Sequence, residues 1–532
     1  MSKLSEALIE IIQGDVISDS LQLNTYSKDA SIFEITPQVV VCPKNSDDIQ
    51  ALVHYCITHS GTTLTPRSAG TDMSGGPLSD SIVLDMTKHF NQIFEMGTDF
   101  AVTEPGVFYR DFEKETLKHN LLLPCFTASR DINTVGGMVG NNSAGEKTLS
   151  YGQTERYVLE LKVILADGNE YLIRPLTKPE LDQKLLQNDF EGNLYKQIYE
   201  LVTSNQQLIT SARPNVSKNS SGYYLWNVWD GQSFNLCKLL VGSQGTLGII
   251  TQIKFQLIQP QNFATNLIIE LPNLDNLGEI INTVLSQTPE SFECFDNLTI
   301  KYALKYLPEV TKELFRSDYL PKLVLLVEFA DDTPSLCNLK ATTTQNDLNS
   351  LKVTSKIVST KDGQKYWKIR RESFNLLRLH SQNLKTAPFI DDWVIKPEFL
   401  AEFLPKLEII FGDYKEQLIY TIAGHIGDGN FHIIPLMDLE REDSLKIISQ
   451  LSSRVYNLVF EYKGSMTAEH NDGLIRSPFL DQMYGEEVFQ LFKQVKQIFD
   501  PKNIFNPHKK TDATFKYSFD HLSSSQVHPH GS

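Results

Sequence analysis

The segment HIGDGNFH, residues 425–432, sets His425 and His432 at the two ends of a GDGN stretch. The flanking runs LIYTIAG and IIP read as strands, so GDGN is expected to turn between them and bring both imidazoles to one hairpin mouth. Two imidazoles and a carboxylate make an N/O donor set suited to a divalent ion such as Zn²⁺ or Mn²⁺. The carboxylate candidate is Glu469 in TAEH. The next residue, His470, is expected to point elsewhere in either a strand or a helix, so that adjacent residues divide the work. An isolated histidine is more often a satisfied structural residue. Here the pair flanks GDGN and is joined by a downstream Glu-His.

A second chemistry is suggested by three stretches of small residues: TPRSAGTDMSGG at 65–76, TVGGMVGNNSAG at 134–145 and VGSQGTLG at 241–248. Each is read as a loop leading into or out of a strand. Glycine permits positive φ and close backbone approach, so such loops can aim amide N–H groups at an anion. One glycine-rich turn is weak evidence, and three within one domain are hard to treat as independent turns. The chain lacks GxxxxGK[ST], and it lacks GxGxxG followed by a helix and a ribose-binding acid. Nucleotide hydrolysis and an ordinary NAD site are therefore disfavoured.

The elements that would position these residues fall into two textures. Between about residues 35 and 260, VVVCP, TTLTP, SIVLDM, LKVILADG and GIITQIKFQL read as strands, and DDIQALVHYCITHSG reads as a helix begun by Asp47 or Asp48 and stopped at Gly61. Beyond it, strands such as LVLLVEFA alternate with longer helices such as EFLPKLEIIFG and GEEVFQLFKQVKQIFDP. The expectation is α+β architecture, with an N-terminal helix and lead-in at 1–34, one domain over 35–260, a second over 261–510 and a polar tail at 511–532, whose last stretch SSSQVHPHGS is expected to fray. With 532 residues and 41% apolar composition the chain can build large cores. Its formal charge of −16 disfavours nucleic acid as a partner. Six scattered cysteines suggest buried thiols in a reducing compartment and exclude ferredoxin-type spacing. No apolar run is long enough to cross a bilayer, so a cytoplasmic protein with at most peripheral membrane association is expected.

PRSAGTDMSGG, TVGGMVGNNSAGEKTLSYGQT, VGSQGTLGIIT, HIGDGNFH, AEH and FDPKNIFNP, in that order, resemble the motifs of the FAD-linked oxidases of the vanillyl-alcohol oxidase superfamily. The branch is the one holding D-lactate dehydrogenases, glycolate oxidase subunits and D-2-hydroxyglutarate dehydrogenases. The resemblance implies an N-terminal FAD-binding domain of two subdomains, of PCMH type, and a C-terminal domain with an antiparallel sheet and helices. It assigns FAD contacts to Pro66, Arg67, Ser68, Ala69, Gly70, Thr71, Ser74 and Gly75, with the pyrophosphate on the 67–71 stretch. Thr134, Gly136, Gly137, Asn141, Ser143 and Gly145 would join them, together with Gly242, Gly245, Thr246, Gly248, Ile250 and Asn506. The cradle has no His or Cys of the kind that attaches flavin, so non-covalent FAD follows. The resemblance also makes His425, His432 and Glu469 metal ligands, with zinc favoured over manganese, and His470 the general base.

In that branch the substrate is a small 2-hydroxy acid of D configuration, resembling D-lactate or D-2-hydroxyglutarate. Its carboxylate needs a cation, and Arg370 in a WxxR spacing, Arg371 and Lys385 are candidates, Arg371 and Lys385 having a solvated face as the alternative. Four departures stand out. Gln244 replaces a usual Glu, Asn471 replaces a usual Gly beside the base, and Phe374 and Ile434 replace polar residues. Resemblance to the larger bacterial members implies a separate electron acceptor, such as a quinone, an electron-transfer protein or an iron–sulfur partner, weak use of O₂ and none of NAD⁺. A homodimer is compatible with it. Oxidation of another alcohol or sugar on the same scaffold is the alternative, and a non-redox metal protein would leave the glycine stretches unexplained.

Overall fold

The computed structural model describes residues 2–316, 319–380 and 384–523. Among these, three larger sheets and one two-stranded ribbon carry the fold. The first sheet runs in the order Asp15–Ile17, Val39–Cys42, Ile82–Asp85, Leu64–Arg67, and the last three strands are parallel. All four residues of VVVC are buried, as suits a parallel strand covered on both faces. The helix Ser46–Thr58 connects into this sheet and starts on Asn45, whose side chain accepts from the Asp48 amide at 3.1 Å. Asp48 instead accepts from the amides of Gln13, Gly14 and Lys44, which pins the N-terminal segment.

The second sheet is antiparallel, in the order Ile93–Met96, Phe100–Thr103, Ile249–Gln256, Val158–Ile164, Glu170–Ile173. Along Ile249–Gln256 buried and half-buried residues alternate, the period of two that one covered face demands. The third sheet is antiparallel and eight-stranded, and Phe263–Leu271, Leu323–Asp331, Ser291–Asp296, Leu418–His425 and Asn430–Met437 follow one another through its middle. One apolar cluster runs from Leu161 and Phe255 of the second sheet into Leu267, Leu325 and Phe431 of the third. The cysteines are all buried free thiols.

One expectation changes. Residues 135–141, read as loop, form the helix Val135–Asn141, capped by Thr134, whose hydroxyl accepts from the Gly137 amide at 3.2 Å. Cap chemistry at Thr134 outweighs the poor helix propensity of three glycines. Within the polar tail, helix Phe515–Asp520 packs Phe515 on Phe479, and Leu522 bridges Phe33. Residues 524–532, expected to fray, lie outside the described residues.

The end of the chain returns to its beginning. The Leu64 amide donates to Ile504 O and the Asn506 amide to Leu64 O, extending the first sheet, while the buried Lys496 bonds Asp500 Oδ2 at 2.6 Å and the carbonyls of Thr246 and Phe505. The first sheet and the 241–248 stretch are thereby fixed to the returning end of the chain.

The hairpin Leu418–His425/Asn430–Met437 turns through Ile426–Asp428 to Gly429 at φ +72°, where an added Cβ would lie 1.9 Å from Ile395 O. Gly429→Ala combines left-handed strain with this backbone clash and is expected to cost about 2 kcal/mol or more. Urea unfolding of the two proteins side by side measures it, and an unchanged midpoint would contradict the account.

Candidate active site

Across this hairpin His425 pairs with Asn430, Ala423 with His432 and Thr421 with Ile434. Successive side chains alternate faces, so Thr421, Ala423, His425, His432 and Ile434 share one face, with the histidines as diagonal neighbours on adjacent strands. Their ring centroids are 5.2 Å apart and nearly perpendicular. All five line a single cavity of about 1010 Å³.

Glu469 approaches from the far side. His425 Nε2 and His432 Nε2 each lie 3.2 Å from Glu469 Oε1, and His470 Nε2 lies 3.9 Å from the same oxygen. His470 was expected to point away from Glu469 and does not. The backbone over 466–472 is bent, neither strand nor helix, so consecutive side chains can face one way. The Asp392 carboxylate fixes the bend by accepting from Thr467 Oγ1 at 2.6 Å and from the amides of Glu469 and His470 at 2.9 and 2.7 Å.

Each imidazole is anchored through its other nitrogen. Glu293 holds His425 Nδ1 at 2.6 Å, and Asp391 holds His470 Nδ1 at 2.6 Å and His432 Nδ1 at 3.3 Å. Lys218, fully buried, donates to Glu469 Oε2 at 3.0 Å, and Arg370 Nη2 lies 2.9 Å from Glu293 Oε2. Burial disfavours the charged form of each group. For Glu469 the charges of Lys218 and His425 prevail and hold the carboxyl well below its ordinary range. For Asp391 the His470 and His432 rings do the same. For His470 the carboxylates of Asp392 and Asp391 lift the ring to about 9.

This arrangement suits a divalent ion. Ligand bonds of 2.0–2.2 Å in tetrahedral geometry separate donors by about 3.3–3.6 Å, near the 3.2 Å between each Nε2 and Glu469 Oε1. Carboxylates on the Nδ1 atoms are the outer contacts that orient imidazole ligands. Asp392, His432, Glu469 and His470 also form a group of potential donors within 4.8 Å. The Asp392 oxygens are already engaged by Asn430 Nδ2, Thr467 and two amides, so His425 is the better third donor. Glu293, Asp391, Asp392 and Lys218 were missed in the sequence. The FIDDW run around the two aspartates was the one available signal.

The other end of the cavity is built from the glycine stretches. Pro66, Ser68, Ala69, Gly70 and Thr71 line it, as do Thr134, Gly136, Gly137, Asn141, Ser143, Gly245, Gly248 and Ile250. Among the described residues, the amides of 68–71 find no protein acceptor. A Cβ on Gly137 would come no nearer than 3.5 Å to any atom, and one on Gly140 would meet nothing within 4 Å. Each interior helix glycine costs about 1 kcal/mol relative to alanine. Packing accounts for Gly136, whose Cβ would strike Pro105, and leaves Gly137 and Gly140 unaccounted for unless the space above them belongs to a ligand. Unpaired amides beside a smooth floor suit a flat, pyrophosphate-bearing cofactor.

Several residues assigned to cofactor contact stand behind this wall. Arg67 turns its guanidinium to Tyr26 O and Lys28 O at 3.0 and 2.7 Å. Ser74 bonds Asp72, Gly75 packs on Phe33, Gly145 lies against Phe126 O, and Thr246 bonds Ser243 O and Tyr223. Asn506 donates to Gly76 O and Gln244 O, and the Gly242 amide donates to Val139 O. These brace the loops from outside the cavity lining. Lys385 sits on the edge strand Lys385–Thr386 opposite Met437, and its neighbour Thr386 reaches the cavity.

Residues 37–172 match the family described as FAD binding domain, and residues 260–510 match FAD linked oxidases, C-terminal domain. The chain belongs to the FAD-linked oxidases. Among curated proteins it is 26% identical over 510 residues to a D-2-hydroxyglutarate dehydrogenase of Pseudomonas putida, covering 93% of this chain and 50% of that one. It thus spans about half the length of that relative. A glycolate oxidase subunit of Bacillus subtilis is 26% identical, with 95% of this chain and 96% of the relative covered. A D-lactate dehydrogenase of Archaeoglobus fulgidus is 26% identical, with 88% and 90% covered. The fold is also that of 4-ethylphenol oxidase from Gulosibacter chungangensis, with TM-score 0.68, 16% identity and coverage of 96% and 98%.

Two departures of this FAD-linked oxidase from its relatives' motifs acquire reasons. Gln244 Nε2 lies 3.2 Å from Asn141 Oδ1 and 3.3 Å from Asp72 Oδ2, where Glu would oppose a second carboxylate with no proton to donate. Asn471, the side chain that stands beside His470 where Gly is usual, faces away from the cavity at φ +65°. Its Nδ2 donates to Gly242 O and Asn141 O at 2.9 and 3.1 Å, and its Oδ1 accepts from Lys510 at 2.8 Å. It ties the His470 bend to two glycine stretches.

Because Gly140 opens only onto the cavity, Gly140→Leu is expected to fold with unchanged or higher thermal stability when flavin-free, gaining up to about 1 kcal/mol in helix propensity, and to lose flavin. Absorbance at the flavin band after purification, read with a thermal melt, separates the two effects. Full flavin occupancy would contradict the floor assignment.

Proposed function

We propose that this chain oxidises a small D-2-hydroxy acid, such as D-lactate or D-2-hydroxyglutarate, to the 2-oxo acid. FAD is held non-covalently, and a divalent ion, Zn²⁺ first and Mn²⁺ second, sits at His425, His432 and Glu469. The observation that carries this reading is the convergence of three carboxylate-anchored imidazoles and Glu469 at one end of a cavity whose other end is floored by glycine.

Bound flavin supplies a hydride acceptor and a bound divalent ion acidifies the substrate hydroxyl. The chain's own residues do the rest. His470 donates Nδ1–H to Asp391 at 2.6 Å, which leaves Nε2 to take the hydroxyl proton. A cation bound to the neighbouring donors would push the ring down from about 9, toward the value a base needs near neutral pH. Among Lys218, Arg370, Arg476, Glu293, Asp391, Asp392 and Glu469, all buried, carboxylates outnumber permanent cations. A bound cation would redress that deficit in place of the proton on His470. Arg370 faces the cavity beside the histidines, where it can meet the substrate carboxylate while Glu293 fixes its guanidinium.

Cavity-lining histidines are confined to this cluster and no cysteine lines the cavity among the described residues, which favours dissociable FAD. Electrons would pass to a separate acceptor. Acid precipitation is expected to release the yellow chromophore, and colour retained by the denatured protein would contradict non-covalent binding. Chelation should abolish dye reduction by D-2-hydroxy acids with flavin still bound, and Zn²⁺ or Mn²⁺ should restore it. Full turnover in metal-free protein would instead favour the alternative, oxidation of another alcohol. His470→Ala should keep flavin and metal and slow anaerobic flavin reduction by about 10²- to 10⁴-fold. An unimpaired rate in stopped flow would move the base elsewhere.

A further inference from the structure

The cavity wall carries five cations, and their charges are not equivalent. Lys28 pairs with Glu34 at 3.3 Å, Arg130 with Glu113 at 3.7 Å, Arg370 with Glu293 at 2.9 Å and Arg371 with Glu146 at 2.6 Å. Arg378 has no ion pair among the described residues. Its contact is the face of Phe374, with the guanidinium carbon 5.7 Å from the ring centroid. Glu372, the nearest acid on the same helix, accepts from Asn375 Nδ2 at 2.9 Å.

Arg370, Phe374 and Arg378 are four residues apart on the helix Thr360–His380, so they form one stripe along the cavity. Each step of four residues advances about 6 Å. Helical side chains lean toward the N-terminus, which brings the Arg378 guanidinium back over Phe374 and toward the histidine cluster. A guanidinium resting on a ring by its face keeps its N–H edge free for a carboxylate. Around it the wall is apolar, with Phe374 from the helix and Ile434 from the hairpin. An anion there would meet a solvent-exposed guanidinium whose charge is not already spent, beside the half-buried Phe374 and the buried Ile434.

Resting on the proposed oxidation, we infer that Arg378 is a specificity-determining residue that receives a second, distal carboxylate of the substrate. The substrate class is then a 2-hydroxy dicarboxylate, preferred over a monocarboxylate such as lactate. Arg370 serves the carboxylate beside the hydroxyl, and Phe374 supports the aliphatic chain between.

The test uses 2-oxo acids, which bind without reducing flavin. Protein loaded with FAD and metal is titrated calorimetrically with 2-oxoglutarate and with pyruvate, as wild type, Arg378→Gln and Arg378→Lys. Wild type is expected to prefer 2-oxoglutarate. Arg378→Gln should weaken 2-oxoglutarate by about 10- to 100-fold while leaving pyruvate within about twofold, and Arg378→Lys should restore part of the preference. Equal affinities in wild type, or a preference unchanged in Arg378→Gln, would overturn the inference. Dye reduction by D-2-hydroxy acids, measured separately, tests the oxidation. Turnover with an unmoved preference sinks Arg378 alone, whereas binding preference without turnover sinks the oxidation alone.

Discussion

One oxygen organises the molecule. Glu469 Oε1 lies within 3.2 Å of two imidazole nitrogens and 3.9 Å of a third, in a buried site where unpaired charge is costly. Its other oxygen is held by Lys218, and the imidazoles are held by Glu293 and Asp391. Removing one partner of a buried pair costs about 3–5 kcal/mol, because the other is left uncompensated. The partners come from a loop at 218, a strand at 293, a segment at 391, a hairpin and a bend at 469, so their backbones must be placed together before the cluster is stable.

The rest of the fold supplies that placement. Parallel strands of the first sheet, extended by the returning end of the chain, hold the 65–76 loop, and Asn471 binds the His470 bend to the stretches around Asn141 and Gly242. The cavity floor and the imidazole cluster thus share a frame. Glycine at 137 and 140 weakens a short helix and in return keeps that floor flat.

Much of this was legible in the sequence because it is local. Period-two alternation and continuous apolar runs marked the strands, and HIGDGNFH between two strand signals marked the hairpin and its diagonal histidines. What escaped depends on distant contacts. Glu293 meets His425 across 132 residues and Lys218 meets Glu469 across 251, and neither carries a motif. A motif also does not say which way a side chain points. Arg67 braces its own loop, Lys385 lies on a sheet edge, and His470 shares the side of Glu469 because its backbone follows neither regular period. The 134–141 stretch shows the same limit, since a threonine cap made a helix of residues whose propensities favour a turn.

A metal centre beside a flavin cavity is what we propose for the convergence at Glu469. It is tested most directly by crystallising the FAD-loaded protein after zinc reconstitution and recording anomalous diffraction on both sides of the zinc edge. One strong peak is expected among His425 Nε2, His432 Nε2 and Glu469 Oε1, with flavin density reaching from residues 68–71 toward His470. Density for flavin with no anomalous peak at that position, or a peak elsewhere in the chain, would contradict it.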